Sequence, residues 1–441
     1  MTILDANSIG CEMETHMRSR YHMLLAPIVA VGIVLGAFGC RSSAQEFGES
    51  SVSSLASEAT GTTESKKQLD EALQELDHQF DRCFAWWGEV YDPESGGFFY
   101  SLSSKRSPQY GPFIEATAKA IHVLDWTGMT QQTLPRFRAN VIRFFQSRQN
   151  PNTGFFRDPD YQDQYSHSML TRALGMSIGA LESCGAKPLY EHPLSRVDEN
   201  TVASQHYKHY ESPEAFTEWL DSLPWESRTW TVGGRLRAEL GVFNQLPSEK
   251  RETLLPLARK YVARRQQDNG YFAALNDDWT SSLSGSYKIA AFLDGTGVPI
   301  PRKKEMLATT LDHLFHSHYQ NSIVLYNTAN MLNILNRNAS DSADQESNDA
   351  AFDVELRIKV VRRCTEILST MHAEDGGFVT QIGKTAPSQN GIRLADDVNE
   401  SNTNATGLAH KTRNLLIQLA TGKSEPHHHQ RSGDLLKALP N

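Results

Sequence analysis

The chain has 441 residues, enough for two or three average domains or for one large helical ring with a substantial core. Its net charge of −9 and pI near 6.0 argue against a nucleic-acid-binding protein, because such proteins carry a basic patch that replaces counterions at the phosphates. The five cysteines form no CxxC pair or Cys/His cluster, so we expect no metal site and no cofactor. At most one disulfide is possible among Cys83, Cys184 and Cys364, and we favour buried free thiols.

The N-terminal segment has the pattern of a secretory signal. Two arginines precede an apolar run over residues 23–38, which is short for a membrane span and is followed by Gly39-Cys40. Ala37 and Gly39 before Cys40 resemble the lipobox of bacterial lipoproteins, although the Leu usual three positions before the cysteine is missing. The resemblance implies that Cys40 carries a lipid that anchors the protein to a membrane. Ordinary signal cleavage and an uncleaved anchor are the alternatives.

Composition divides the chain into four parts. Residues 41–66 are rich in Ser, Thr, Gly and Glu and poor in large apolar side chains, which predicts a disordered tether. It follows an N-terminal extension and signal over 1–40, and it precedes a folded domain over 67–422 and a flexible tail over 423–441. We expect an exported protein of the cell envelope, periplasmic or at the surface, and the sequence leaves its oligomeric state open.

The folded domain repeats a short loop in which glycine precedes an aromatic residue. The glycine directly before the aromatic is residue 97, 154, 270 or 377. The gaps between successive glycines are close to one, two and two units of about 55 residues. Each double gap therefore contains one further loop whose sequence has diverged. Glycine supplies a positive φ where a helix ends, and the aromatic packs between neighbouring hairpins, so a structural role for the loops is favoured over ligand contacts.

Each unit reads as a helix, a loop and a second helix. The helix before each loop is charged and amphipathic, as expected of an outer layer, whereas the helix after it is rich in small and apolar residues, as expected of an inner layer. Six such pairs predict an all-α fold, an (α/α)6 toroid of six helical hairpins. A closed ring needs no capped ends, and an open helical solenoid is the alternative.

The glycine-aromatic loops also carry a family resemblance. Residues 266–272 and 374–378 look like the Q-x-x-DGG-[FW] repeats of the terpenoid cyclase and protein prenyltransferase α/α-toroid superfamily, and residues 92–99 are similar to turns of sugar epimerases. Six-hairpin carbohydrate-active enzymes share the ring that the resemblance implies. The DxDD acid of squalene-type cyclases is missing from the sequence, and Asp81-Arg82-Cys83, which echoes the D-x-C zinc element of prenyltransferases, falls on a predicted outer helix, so those two activities are not expected.

The loops place a candidate pocket at one mouth of the ring. Every such loop joins an outer helix to the start of an inner helix, so all six inner helices are expected to begin at the same end. Their N-termini carry unsatisfied N–H groups and partial positive charge, which favours an anionic ligand. We expect buried charges on the inner helices, among them Glu115, Arg235 and Lys288, to line the lumen.

Candidate site residues follow from this placement. The paired carboxylates of Asp277 and Asp278 suit acid–base work on a sugar, and His167 beside Tyr165 resembles the base and acid of some polysaccharide lyases. Helix capping is the alternative for the aspartates, and capping or packing is the alternative for the histidine. The predicted substrate-binding residues are Arg157, Asp163, Trp230, Trp279, Arg235, Tyr326, Asp397 and His410.

These features favour a cell-envelope carbohydrate-active enzyme, a glycoside hydrolase or polysaccharide lyase that acts on an acidic glycan. A non-catalytic binding or scaffold lipoprotein is the main alternative, and a divergent terpenoid-type cyclase is a third. The interior of the ring separates them. A deep pocket that holds a close carboxylate pair or a His-Tyr-Arg cluster favours the enzyme, aliphatic filling favours the scaffold, and an apolar aromatic cavity favours the cyclase.

Overall fold

The computed structural model describes residues 50–165, 167–193, 208–272, 277–337, 352–389, 391–396 and 398–439. The predicted signal segment, Cys40 and the first residues of the tether lie outside these ranges, so the lipid anchor stays a prediction. Within the part that is described, no helix is long and apolar enough to cross a membrane.

Six helices form the inner layer: α4 (Ile114–Trp126), α6 (His167–Ser183), α8 (Thr229–Gln245), α10 (Trp279–Gly295), α12 (Ser322–Arg337) and α14 (Thr403–Thr421). Each contacts the next, and α14 contacts α4, so the ring closes. The prediction of an all-α, six-hairpin toroid is therefore confirmed. An open solenoid is excluded, because its first and last inner helices would not touch.

The outer layer and the connections use the remaining elements. The outer helices are α1 (Ser50–His78) with α2 (Cys83–Glu89), α5 (Pro135–Gln146), α7 (Pro213–Ser222), α9 (Ser248–Ala263), α11 (Lys303–His316) and α13 (Val354–Ser369). The other described elements are two short helices, α3 (Leu102–Arg106) and α15 (Ser432–Ala438), and one antiparallel hairpin, β1 (Ser388–Gln389) with β2 (Ile392–Arg393). Three short 3-10 helices lie in the connections, at Thr130–Gln132, Pro159–Gln164 and Lys208–Tyr210. Helix α1 begins inside the span predicted as a tether.

The inner helices run parallel to one another. On α8 and α10, Gly285 packs against Thr229 near the N-terminal ends, and Gly295 packs against Leu240 near the C-terminal ends. The same register holds between α4 and α6, where Glu115 pairs with Arg172. All inner helices therefore begin at one end of the ring, as the loop positions predict, and we call that end the mouth.

The glycine-aromatic loops hold outer and inner helices together. Gly270 has a φ of +83° and lies against the backbone of Met306 on α11, where a Cβ would stand 2.6 Å from the Met306 Cα. The aromatic end of this loop is hydrogen-bonded to the inner helix α10, since Phe272 N donates to Ser286 Oγ at 2.8 Å. Matching bonds join two other loops to their inner helices, from Phe98 N to Thr117 Oγ1 and from Phe378 N to Thr406 Oγ1. These contacts agree with the structural role predicted for the loops.

The C-terminal segment differs from its prediction as a flexible tail. Helix α15 packs on α2, and His429 is completely buried. Arg413 on α14 donates to Asp77 Oδ1 at 2.8 Å and to the backbone carbonyl of His427 at 3.1 Å. The segment is ordered because it satisfies a buried guanidinium, a long-range partnership that local composition does not reveal. Cys83, Cys184 and Cys364 are buried free thiols, which confirms that prediction.

Candidate functional site

A polar stripe on α4 faces the axis of the ring. Glu115, Lys119, His122 and Trp126 recur at steps of four, three and four residues, which places them on one face of the helix. Glu115 pairs with Arg172 of α6, whereas the Lys411 ammonium of α14 lies 4.8 Å from the centre of a Trp126 ring. A stripe that reaches both neighbouring inner helices lies on the inward face, so the interior is polar on this side.

Helix α12 carries a second stripe with the same spacing. Tyr326, Asn330, Asn333 and Arg337 occupy its inward face. The stripe reaches α10, since Arg337 Nη2 lies 3.1 Å from Asp294 Oδ2, and it reaches α14, since Asn333 Nδ2 donates to the Leu415 carbonyl at 2.9 Å. Polar residues therefore line the ring on two inner helices, α4 and α12, that flank α14.

Four of these interior residues form what we call the Arg-Tyr cluster: Arg237, Tyr287, Tyr326 and Asn330. They come from three consecutive inner helices, and each is at most 8% exposed. The Asn330 amide donates to both phenol oxygens, at 2.6 Å for Tyr287 and 3.0 Å for Tyr326, and the two hydroxyls are 3.2 Å apart. Arg237 donates to the Tyr287 hydroxyl. The cluster thus joins two phenols, an amide and a guanidinium through hydrogen bonds, an arrangement that can pass a proton between its hydroxyls.

Buried basic side chains are concentrated in the interior around the cluster. Four consecutive inner helices each contribute one buried basic side chain, which we call the basic set: Lys119, Arg172, Arg237 and Lys288. Of the acidic residues on these four inner helices, Glu115 alone lies in the N-terminal half of its helix. The other acidic residues lie closer to the C-terminal ends. Lys288 lies 4.6 Å from the centre of a Trp230 ring. Buried charge of one sign favours a ligand of the opposite sign.

A hairpin covers part of the mouth. Gln389 on β1 donates to Glu115, which is 2% exposed and paired with the equally buried Arg172. The segment around the hairpin is tied to the first unit, since Tyr110 Oη donates to the Ala395 carbonyl at 3.1 Å. The connection between α13 and α14 thus places one side chain on the inner wall of the ring.

The predicted catalytic aspartate pair is not a pair in the structure. Asp277 Oδ2 accepts from the Thr229 N–H at 3.0 Å and caps α8, whereas Asp278 accepts from Ser281 N at 2.9 Å and caps its own helix, α10. Partial burial raises the pKa of Asp278, but hydrogen bonds from Thr280 and Ser281 outweigh it and lower the pKa overall. The two carboxylates serve different helices, so the prediction of a shared proton is wrong and the capping alternative holds.

Tyr165 also supports a helix cap. Its hydroxyl donates to Asp158 Oδ2 at 2.7 Å, and the same carboxylate accepts from Ile114 N at the start of α4 and from Arg148 Nε, both at 3.1 Å. Burial and the negative charge of Asp158 raise the pKa of Tyr165. This phenol is therefore held in its neutral form. The side chain of His167 lies outside the described part of the chain, so its pairing with Tyr165 stays a prediction.

Asp158 gives stability a measurable dependence on pH. Burial raises its pKa from 3.8 to about 6, against the opposing effect of Arg148 and of the hydrogen bonds it accepts. Because the folded state binds this proton more tightly than the unfolded chain, the contribution to stability is complete below about pH 4 and is lost as pH rises through about 6. We expect Asp158→Asn to remove that loss, about 3 kcal/mol at most, measured by urea unfolding between pH 4 and 7.

The neighbouring Asp160 provides the matched control for this experiment. It lies on the same loop and is exposed, so Asp160→Asn removes the same charge without removing a buried carboxyl. We expect this variant to lose as much stability as the wild type when pH rises through about 6, because it keeps Asp158. The same loss in Asp158→Asn would contradict the assignment.

Other predicted substrate-binding residues lie away from the interior cluster. His410 packs among the rings of Phe80, Phe84 and Trp87, on the side of α14 that faces the outer layer. Burial lowers its pKa well below the usual value, so it is a neutral packing residue, and its predicted ligand role is wrong. Trp279 stacks on His313 of the outer helix α11, with ring centres 5.1 Å apart, and therefore also points away from the axis.

The remaining predictions divide by exposure. Tyr326 lies in the Arg-Tyr cluster, and Trp230 lies beside Lys288 of the basic set. Their predicted contacts with substrate stay predictions. Arg157 and Arg235 are exposed, although a charge on an inner helix such as Arg235 is expected to be buried. The side chains of Asp163 and Asp397 lie outside the described residues, and their roles stay predictions.

The sequence prediction missed Arg172, Arg237, Tyr287, Asn330 and Gln389. Polar residues at steps of three and four within an otherwise apolar helix are the signal that would have found Asn330 beside Tyr326. Gln389 has no such signal, because its position depends on the path of a long connection. Among the described residues, no group of three or more His, Cys, Asp or Glu side chains is placed to hold a metal ion.

Comparisons with known proteins identify no family. No protein-family model matches the chain, and no curated protein matches it either. Among solved structures, the chain is similar to glucoamylase from Saccharomycopsis fibuligera, with 11% identity and a TM-score of 0.39 over 78% of this chain and 95% of that chain. At this level of similarity, nothing about activity follows from the match.

Proposed function

We propose that the chain is an exported, lipid-anchored carbohydrate-active enzyme that acts on an acidic glycan at the mouth of the ring. One observation carries the proposal. The Arg-Tyr cluster joins two phenols, an amide and a guanidinium inside a ring interior whose basic set outnumbers its buried acid. Such an interior suits neither the aliphatic filling of a scaffold nor the apolar cavity of a terpenoid cyclase. Export and anchoring rest on the apolar run that precedes Cys40.

Elimination fits these residues better than hydrolysis. Glycoside hydrolysis uses two carboxyl groups that flank the glycosidic bond. In the described N-terminal halves of the inner helices Glu115 is the one carboxylate, and it is paired with Arg172, while Asp277 and Asp278 cap helices. A lyase instead needs a base, a proton donor and positive charge that balances the carboxylate of a uronic acid.

The cluster supplies those groups. Arg237 donates to the Tyr287 hydroxyl, and in this proposal Tyr287 is the base that removes the proton on the carbon next to the carboxylate. The C–O bond to the leaving sugar then breaks, a C=C bond forms, and Tyr326 gives its proton to the departing oxygen. No water is consumed. The products are an unsaturated uronate and a shortened glycan with a free hydroxyl.

The test follows the products on a panel of polyuronates, sulfated glycans and neutral glycans. Elimination produces the ultraviolet absorbance of an unsaturated uronate together with new reducing ends, whereas hydrolysis produces reducing ends alone. We expect both signals with a polyuronate and neither with a neutral glycan. Reducing ends without new absorbance would overturn the elimination mechanism. Binding of acidic glycans without any turnover would favour the non-catalytic lipoprotein.

The variant Tyr326→Phe tests the proton donor. We expect kcat on a polyuronate to fall about 100-fold with little change in KM, because the variant removes one hydroxyl needed only in the transition state. Tyr271→Phe is the matched control, since the buried Tyr271 hydroxyl contacts Thr310 of the outer helix α11 at 3.1 Å. Equal losses of activity in the two variants would contradict a chemical role for Tyr326.

A further inference from the structure

Arg172 has a buried guanidinium whose N–H donors are not all paired. Its side chain is 2% exposed, and Nε pairs with Glu115 Oε1. Its Nη2 is also buried, yet no residue in the described part of the chain accepts a hydrogen bond from it. A guanidinium presents five donors in a planar fork, and a buried charged donor without an acceptor is costly to keep. Unpaired buried donors of this kind are expected where a ligand supplies the missing acceptor.

The surroundings fix the orientation of this guanidinium. Glu115 belongs to the inward stripe of α4, so the Arg172 head that meets it lies on the axial side of α6. Gln389 of the hairpin donates to the other oxygen of Glu115, so the carboxylate is held from a second direction. With Nε engaged and Glu115 held in place, the Nη2 edge of the fork is left for a partner inside the ring.

The charge around Arg172 selects the kind of partner. Glu115 neutralises one positive charge, but Lys119 lies one helical turn further along α4 and is also buried. Arg237 and Lys288 are buried basic side chains on two further inner helices, α8 and α10. An anionic acceptor is therefore favoured, and a carboxylate matches the fork of a guanidinium better than it matches a lysine ammonium.

We infer that Arg172 is a specificity-determining residue, which receives a carboxylate of the uronic acid glycan through its Nη2 edge while Glu115 holds its Nε. The inference rests on the proposed function and adds to it the group that is recognised. Arg172 is a binding residue that stands apart from the Arg-Tyr cluster, on the wall formed by α4 and α6. A methyl-esterified glycan offers the fork a neutral carbonyl in place of a carboxylate, so it loses the charge-assisted contact and binds more weakly.

The experiment measures binding to the full-length chain by isothermal titration calorimetry. The probes are a uronic acid trisaccharide, its fully methyl-esterified counterpart and inorganic sulfate. We expect the wild type to bind the acid at least ~100-fold more tightly than the ester, and Arg172→Gln to lose most of this ratio. We expect Arg172→Lys to restore little of this ratio, because a lysine ammonium lacks the planar fork that contacts Glu115 and the ligand at the same time.

Two further variants keep the inference falsifiable. Glu115→Gln combined with Arg172→Gln removes both buried charges at nearly constant volume, so it tests the loss of selectivity if Arg172→Gln alone fails to fold. Arg148→Gln is the matched control, since Arg148 forms another ion pair with a buried carboxylate, Asp158, which caps α4. We expect this control to keep the preference for the acid.

The outcomes distinguish the two proposals. If the wild type binds and cleaves the polyuronate while Arg172→Gln and the double variant keep the full preference for the acid, the inference is overturned and the proposed function stands. Equal binding of acid and ester by the wild type also overturns it, as does sulfate binding as tight as that of the trisaccharide. If the wild type neither binds nor cleaves any acidic glycan, the proposed function fails and the inference fails with it.

Discussion

Gly270→Ala is expected to destabilise the ring by about 2 to 5 kcal/mol. A φ of +83° costs an L-residue about 1 to 2 kcal/mol. The added Cβ would also stand 2.6 Å from the Met306 Cα, so the loop and α11 must separate, which adds about 1 to 3 kcal/mol. The measurement is urea unfolding followed by circular dichroism, with the free energy of unfolding compared with that of the wild type.

Gly297→Ala separates the two causes. Gly297 follows the inner helix α10 and also has a positive φ, of +73°, but nothing lies within 4 Å of the position where its Cβ would stand. We therefore expect the backbone cost alone, about 1 kcal/mol. A similar loss in both variants would mean that the close approach of the loop to α11 contributes nothing.

Arg413→Met is expected to cost about 3 kcal/mol and to release the C-terminal segment. The substitution keeps much of the side-chain volume but removes the bonds to Asp77 and to the carbonyls of His427 and His428. The lost bonds leave buried acceptors unpaired, and partial exposure of Asp77 keeps the cost below the upper range for buried ion pairs. Urea unfolding measures the destabilisation, and limited proteolysis measures cleavage within residues 423–439.

Arg431→Ala serves as the control for this variant. Its side chain is mostly exposed and pairs with Asp434 at the surface, so we expect a change of no more than about 1 kcal/mol. Protease resistance of the segment should be unchanged in this control. If Arg413→Met leaves the segment as resistant as in the wild type, other contacts of His429 and α15 hold it, and the role assigned to Arg413 is wrong.

The structural and chemical residues of this protein occupy different layers. Carboxylates of the loops, such as Asp158 and Asp277, satisfy the N-termini of inner helices and thus stabilise the ring. The residues proposed for chemistry, Tyr287 and Tyr326, lie within the inner helices instead. Side chains on rigid helices are positioned more closely than side chains on loops, which suits a site that must transfer protons.

The sequence by itself determined the architecture, because the architecture follows from a periodic pattern of helices and loops. Amphipathic and apolar helices alternate, and glycine-aromatic loops such as that at Gly270 recur at a fixed spacing, so the hairpins and their order follow from local pattern. It also identified the mouth and brought Tyr326 into consideration, since every loop leads to the start of an inner helix.

The tertiary structure decided which way each polar side chain points. His410 and Tyr326 both sit on inner helices, yet His410 packs against Phe84 on the outer side while Tyr326 meets Tyr287 near the axis. Asp277 and Asp278 are adjacent in sequence, yet they cap different helices. Composition and spacing give the type and rough depth of a residue. Its partner depends on the rotation of each helix in the closed ring, which is fixed by packing between segments far apart in the chain.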